Sequence, residues 1–300
     1  SDRRNMAEKP VRGIAPVERL LERLLREWKP DAVVCTYMVY PYMLDSLASR
    51  TGRAVPYLTV VTDSFVINKS WLCSKSPLWA VTDPWTRAIM EEKGLPQDRL
   101  RVTGFPVNPV LGALAEEHPL SWKEGEPFRV LYFAQRSARH ARAELAGMLD
   151  ANPALHVTCI LGRRFRRIYP RIRDLRARYG RRLTVRGWTR RVPSYLAASH
   201  VVVGKAGGAT VHEVLAAARP MLVNFLLPGQ EEGNTRLLEK LGGGSHVPDA
   251  RALASALQEM MADGGAQWRR MHENLLRAGM TGGSGRIADL ALKLAEEHTN

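Results

Sequence analysis

Residues 201–234, VVVGKAGGATVHEVLAAARPMLVNFLLPGQEEGN, constrain the fold more than any other stretch of the chain. Val201 to Val203 form a β-branched run suited to a buried parallel strand, which stops at Gly204, Gly207 and Gly208, where backbone can pass close to a ligand. A helix is predicted from about Thr210, with Val211, Val214 and Leu215 as its apolar face and Thr210 and Glu213 at the spacing of a capping box. A second apolar strand, Met221 to Asn224, and a polar loop complete the stretch. A helix that opens after glycines presents unpaired N–H groups and a positive dipole end, which suits a phosphate or diphosphate. The pattern is neither GxxxxGK[ST] nor GxGxxG, so it indicates neither a P-loop ATPase nor a Rossmann dinucleotide site. On spacing alone, an ordinary strand-to-helix turn accounts for it equally well.

The same alternation runs through the chain. An amphipathic helix over residues 14–28, with Leu20, Leu21, Leu24, Leu25 and Trp28 on one side, ends at Pro30 before a strand over 32–37. Helices near 42–50 and 84–93 alternate with strands at Tyr57 to Val61, Leu78 to Val81 and Arg101 to Thr103. After a stretch punctuated by Pro106, Pro109, Pro119 and Pro127, the pattern resumes: strands at Arg129 to Phe133, His156 to Leu161 and Leu183 to Arg186, with helices over 137–149 and 168–179. A last helix follows Gly282, Gly283 and Gly285 and runs to about His298, and these glycines could serve as a hinge. The fold class read from this is α/β, with two doubly wound parallel sheets.

Composition narrows the classes. Three hundred residues with 45% apolar content support two ordinary cores, and no apolar run reaches the roughly 20 residues that cross a bilayer. Cys35, Cys73 and Cys159 are far apart and odd in number, which argues against a zinc motif or a disulfide framework and for a reducing compartment. The net charge of +14 concentrates between Arg163 and Arg191. Such a surface attracts anions, and the absence of any nucleic-acid-binding motif favours an anionic membrane surface over nucleic acid; the solvated face of an arginine-rich helix accounts for part of it.

The ordered set of segments VVTDSFVINKSW (60–71), AVTDPWTRAIMEEKGLPQDRLRVTGFPVNPVL (80–111), LGRR (161–164), RGWTRRVPSYLAASHVVVGKAG (186–207) and GKAGGATVHEVLAAARPMLVNFLLPGQEEGN resembles glycosyltransferase family 28 over roughly residues 30–245. The likeness is to the branch of the monogalactosyldiacylglycerol synthases and processive diacylglycerol glucosyltransferases, and more distantly to the lipid II GlcNAc transferase. It implies the GT-B architecture, with a first, acceptor-side domain over 1–111, a linker over 112–127, a UDP-sugar domain over 128–281 and a terminal helix over 282–300 that returns to the first domain. It further implies an inverting transfer of sugar from a UDP-sugar to a lipid such as diacylglycerol, by a protein peripheral to the cytoplasmic membrane face, with UDP-sugar as substrate and no cofactor or metal. No carboxylate pair is spaced to hold a metal ion, and helix dipole and arginine can offset diphosphate charge.

Carried onto these residues, the resemblance assigns Gly207, Gly208, Ala209 and Thr210 to the diphosphate and Glu213 to the ribose hydroxyls, with the capping box as the structural alternative. Backbone groups at Trp188 and Thr189 take the uracil edge, although Trp188 could instead pack at a strand end. Gln230, Glu231, Glu232 and Asn234, read as a loop beyond a strand's carboxyl end, choose the sugar, and Arg163 meets the diphosphate. In the first domain, Trp71 and Pro106 lie on the acceptor side, and Asp63 is the candidate catalytic carboxylate, orienting more than acting as base. In the relatives that base is a histidine on a Gly-rich loop after the first strand, which this sequence does not contain, so an N-terminal portion is expected to precede it. His212 reads as structural.

The chain departs from the family at YFAQRSARHA (132–141), where relatives carry a glycine-rich loop; Arg136, Ser137 and Arg139 are the side chains that could replace its donors. The alternatives are a UDP-GlcNAc 2-epimerase, a lipid II-type transferase, and a relative that binds anions or membranes without catalysis.

Overall fold

A computed structural model describes residues 15–117 and 120–299. The described chain forms two compact units, one of residues up to Pro106 together with those from Gly282 onward, the other of residues Val107–Thr281.

The first unit opens with α1 (Ala15–Trp28), β1 (Val33–Cys35), α2 (Val39–Thr51), β2 (Tyr57–Val60), β3 (Leu78–Val81), α3 (Pro84–Glu92) and β4 (Leu100–Val102). Its four strands are all parallel and lie in sequence order. The start of α3 is fixed by chemistry: Asp83 caps it by accepting from the Thr86 amide at 2.8 Å, and Pro84 supplies a preset first helical residue. One face of the sheet is buried with Trp71, Trp79, Val81, Met90 and Leu100.

The second unit contains α4 (Val110–Glu117), β5 (Phe128–Phe133), α5 (Ala138–Ala151), β6 (Leu155–Ile160), α6 (Phe165–Ile168), α7 (Arg173–Tyr179), β7 (Leu183–Arg186), α8 (Val192–Ala197), β8 (Val201–Lys205), α9 (Gly208–Ala216), β9 (Met221–Phe225), α10 (Gln230–Lys240), β10 (Gly244–His246), α11 (Ala250–Met261) and α12 (Ala266–Ala278). Six parallel strands lie in the order β10-β9-β8-β5-β6-β7. The chain therefore winds outward from β5 to β7, returns, and winds outward on the other side from β8. The reversal between β5 and β8 is the topological switch point at which open α/β sheets bind ligands beyond their carboxyl ends.

Two local expectations change. The proline-punctuated stretch read as linker holds α4, because the Asn108 side chain accepts from the Val110 amide at 3.1 Å and starts a helix that buries Leu111; Pro119 lies outside the described residues. The single helix expected over 168–179 is instead α6 and α7, separated by a 3-10 turn at Tyr169–Arg171, where Pro170 cannot continue an α-helical bond pattern.

The last helix, α13 (Gly283–Thr299), packs Ile287, Leu290, Ala291 and Leu294 on Leu58, Val60 and Ala80 of the first unit's sheet. Its start needs glycine: a Cβ on Gly283 would stand 2.1 Å from the Phe105 carbonyl oxygen. Arg286 Nε then donates to the Thr103 carbonyl at 2.6 Å.

Candidate functional site

At the switch point of the second unit, β8 ends in a bulge at Gly204 and Lys205, and α9 begins with Gly207 as its N-cap. An added Cβ at Gly204 would stand 3.3 Å from the Phe133 side chain of β5, so the two strands approach closely there. The first amide to close a backbone bond is that of Val211, to the Gly207 carbonyl at 2.9 Å. The amides of Gly208, Ala209 and Thr210 thus stand at the open, positive end of the helix.

This corrects the capping-box reading. The helix starts earlier than its first hydroxyl residue, so Thr210 is already the third helical residue and no side chain caps the end. The Glu213 carboxylate, one turn further in, has no hydrogen-bond or ion-pair partner among the described residues, and burial pushes it above the ordinary carboxylate range. His212 is fully buried, and burial pushes its imidazole down to about 3, so it is neutral and structural.

A cavity of about 580 Å³ opens beyond the carboxyl ends of β5, β6, β8 and β9, lined among others by Gln135, Arg163, Arg164, Lys205 and Leu227. Arg163 is exposed on it and makes no ion pair among the described residues. Arg164 reaches back to the Arg136 carbonyl at 3.4 Å and also holds the Gln135 carbonyl, pinning the turn after β5. The Gln135 Oε1 is buried without a partner.

The residues 230–234 are not in a loop. They form the first turns of α10, which begins after Gly229 (φ 96°) and carries Glu231 and Glu232 where acidic residues favour a helix start. That placement divides their roles. Glu231 is nearly buried, pairs with Lys205 and accepts from the Leu227 amide at 2.7 Å. Asn234, fully buried, donates to the Ala206 carbonyl at 2.9 Å, beneath the start of α9, while its Oδ1 has no partner. Glu232 is exposed, and the Gln230 side chain lies outside the described residues.

In the turn after β7, Trp188 is 61% exposed, which removes the packing alternative, and the Arg190 guanidinium lies 5.7 Å from its ring centroid. Thr189 accepts the Arg191 amide at 3.0 Å. The arginine-rich stretch is partly structural: Arg178 pairs with Asp150, and Arg182 donates to the Leu149 carbonyl at 2.9 Å. Arg166, Arg167, Arg171, Arg173, Arg176 and Arg181 remain exposed.

Two residues that sequence reasoning passed over belong to this region. Lys205 follows four buried residues at the end of a central strand, a signal that was available. Glu144 had none, since its partner Asn224 is 80 residues away.

In the first unit, taken by itself, the structure brings Asp63 and Trp71 together: the buried Asp63 carboxylate accepts from the indole Nε1 at 2.9 Å. Asp63 therefore holds the 3-10 turn that carries Trp71. Pro106 is half-buried and closes the segment that begins at Gly104 (φ 82°). Phe65 adopts φ 58° and is held there by the Thr86 hydroxyl, which accepts its amide at 3.1 Å.

Two all-parallel α/β units, one with an anion-suited helix terminus at its switch point, define the GT-B fold class. MurG from Acinetobacter baumannii is similar in structure (TM-score 0.65, 15% identity, covering 93% of this chain and 78% of that one). So is UDP-GlcNAc 2-epimerase from Neisseria meningitidis bound to UDP-GlcNAc (TM-score 0.68, 14% identity, 96% and 84% covered). In sequence, residues 12–107 match the family described as monogalactosyldiacylglycerol (MGDG) synthase, and residues 146–283 match the glycosyltransferase family 28 C-terminal domain. The chain thus carries a glycosyltransferase family 28 C-terminal domain, preceded by a segment similar to the MGDG synthases. It is 25% identical over 252 residues to the processive diacylglycerol beta-glucosyltransferase of Staphylococcus carnosus (strain TM300), covering 82% of this chain and 63% of that protein. It thus spans less than two thirds of that relative's length.

Proposed function

We propose that this chain belongs to an inverting glycosyltransferase that moves a sugar from a UDP-sugar to a lipid acceptor, diacylglycerol being the acceptor named for its relatives. The observation that carries the reading is the open N-terminus of α9 with the unpartnered carboxylate of Glu213 one turn behind it. The amides of Gly208, Ala209 and Thr210 and the Arg163 guanidinium take the diphosphate, and Gly207 leaves room for it. Glu213 accepts from the ribose hydroxyls, and Trp188 and Thr189 flank the uracil edge. Gln230 and Glu232 select the sugar, while Glu231 and Asn234 hold Lys205 and the start of α9 in place.

In the reaction the acceptor oxygen attacks the anomeric carbon from the face opposite the diphosphate, the bond to the diphosphate breaks, and UDP leaves with charge offset by the helix end and arginine. The acceptor's proton passes to a base. Asp63, bonded to Trp71, positions that acceptor-side segment with Pro106 rather than serving as the base. The reading uses no metal, so transfer is expected to persist in EDTA; loss of activity that magnesium or manganese restores would overturn that part.

Among the described residues no helix is long and apolar enough to cross a membrane. The exposed arginines of residues 163–191 are assigned to an anionic surface at the cytoplasmic membrane face, where the lipid acceptor is presented. The test is incubation with UDP-glucose, UDP-galactose and UDP-GlcNAc in diacylglycerol-containing vesicles. A new glycolipid supports the reading; a free epimerised UDP-sugar, or UDP-sugar binding with no product, replaces it with the epimerase or with a non-catalytic relative.

Trp188→Ala provides a narrower check. Its ring is mostly exposed, so thermal stability should stay within about 0.5 kcal/mol of the parent. UDP affinity should fall roughly fivefold, about 1 kcal/mol, through the lost aromatic contact. Unchanged UDP affinity would remove the Trp188 ring from the uracil site and leave only its backbone contact.

A further inference from the structure

Arg136 leaves the turn after β5 and reaches across to β9. Its Nη1 donates to the Asn224 carbonyl at 3.5 Å, and its guanidinium lies 5.6 Å from the Phe225 ring centroid. Between β5 and β9 in the sheet runs β8, and the Ala206 amide at its end donates to the Phe225 carbonyl at 3.2 Å. The guanidinium is therefore carried over the carboxyl end of β8, where the chain turns into α9.

What holds it there is Glu144, a carboxylate only 2% exposed inside α5. It accepts from the Tyr132 hydroxyl, from the Asn224 Nδ2 at 2.8 Å and from the Arg136 Nη1 at 3.4 Å. Burial and the neighbouring Glu144 charge push the Tyr132 phenol upward, so it remains a donor. A carboxylate buried this deeply is costly unless every lone pair is occupied, and here the occupants fix the direction of one guanidinium. The Nε and Nη2 of Arg136 make no hydrogen bond among the described residues, and its side chain is 23% exposed. Two free donors of a fork held at the carboxyl end of β8, just before the turn into α9, suit a doubly charged phosphate.

We propose that Arg136, positioned by Glu144, grips the terminal phosphate of the nucleotide diphosphate, so that the chain distinguishes UDP from UMP. This rests on the UDP-sugar reading above, which gives Glu144 no part and names Arg136 only among three side chains that could replace the donors of a glycine-rich loop. Arg136 is the binding residue, and Glu144 acts only through it.

The experiment is calorimetric titration of the chain with UDP and with UMP, for the parent, Arg136→Met, Glu144→Gln and the double variant. Arg136→Met is expected to lower UDP affinity about tenfold or more and to leave UMP affinity unchanged. Glu144→Gln should shift the UDP-to-UMP ratio in the same direction by less, and the double variant should match Arg136→Met, since both act on one contact. Loss of UDP and UMP binding in equal proportion, an unchanged ratio in Arg136→Met, or a further drop in the double variant overturns the proposal. If Glu144→Gln does not fold, Arg136→Met decides alone. A parent chain that binds UDP-glucose but not UDP more tightly than UMP keeps the donor reading and sinks this inference; a parent that binds none of the three sinks both.

Discussion

Replacing Glu213 with alanine is expected to lower UDP affinity by about 10- to 100-fold, the range set by one or two hydrogen bonds to a charged group. The companion variant Glu213→Gln separates this role from a structural one. Burial raises the Glu213 carboxyl, so its folded value lies above its unfolded value. For an acid, this means stability is complete below the unfolded value and declines as pH rises through the window up to the folded value. At pH 7 glutamine should therefore leave the melting temperature unchanged or raise it, whereas loss of a helix cap would lower it. Binding runs the other way: ionised Glu213 is the form that accepts from ribose hydroxyls, so UDP-glucose affinity should fall as pH drops through the raised value. Glu213→Gln should flatten that dependence. A lower melting temperature with full UDP affinity would return Glu213 to the helix and leave the ribose without an acceptor.

Trp268→Ala should produce the largest loss of stability. The ring is 1% exposed, and its Nε1 donates to the His200 carbonyl at 2.8 Å. It meets Phe128 edge-on at 6.2 Å between centroids and stacks on His272 at 5.7 Å. His200 itself stacks on Phe128 at 5.0 Å, and burial holds its imidazole down to about 3, so the cluster is uncharged. Removing the indole leaves a cavity and an unpaired carbonyl, which together cost about 3–5 kcal/mol. In a unit of this size that corresponds to roughly 10 °C in its melting temperature. The cluster sits at the amino end of β8, away from the start of α9, so UDP affinity well below the transition should be kept. A shift of less than about 2 °C would show that the site collapses around the gap.

The strands were legible because apolar runs such as Val201 to Val203 and Leu78 to Val81 have no other economical place than a sheet covered on both faces. The helices α11 and α12 were equally available and were not read. Asp249 caps the first, accepting from Arg251 and Ala252, and Leu253, Leu257 and Met260 mark its buried side. The start of α9 could not be placed from side chains, because a glycine N-cap leaves no signature beyond the glycines themselves. In the same way, acidic residues in PGQEEGN read as a loop, yet the sharp Gly229 turn makes them a helix start. Gly207 to Thr210, Trp188 and Arg163 could be named from local pattern because they need no long-range partner. Those defined by pairing across the sheet, Glu144 with Asn224 and Lys205 with Glu231, were out of reach of any local pattern.

The helix α13 gives the chain an unusual order of completion during synthesis. The four strands of the first unit leave the ribosome early, but Leu58, Val60 and Ala80 wait for Ile287, Leu290 and Leu294 to cover them. The second unit, one continuous run from Val107 to Thr281, can close its core before that happens. Within this chain the sheet that precedes the second unit is thus finished after it, and in the interval its uncovered face stands open to chaperones and to aggregation.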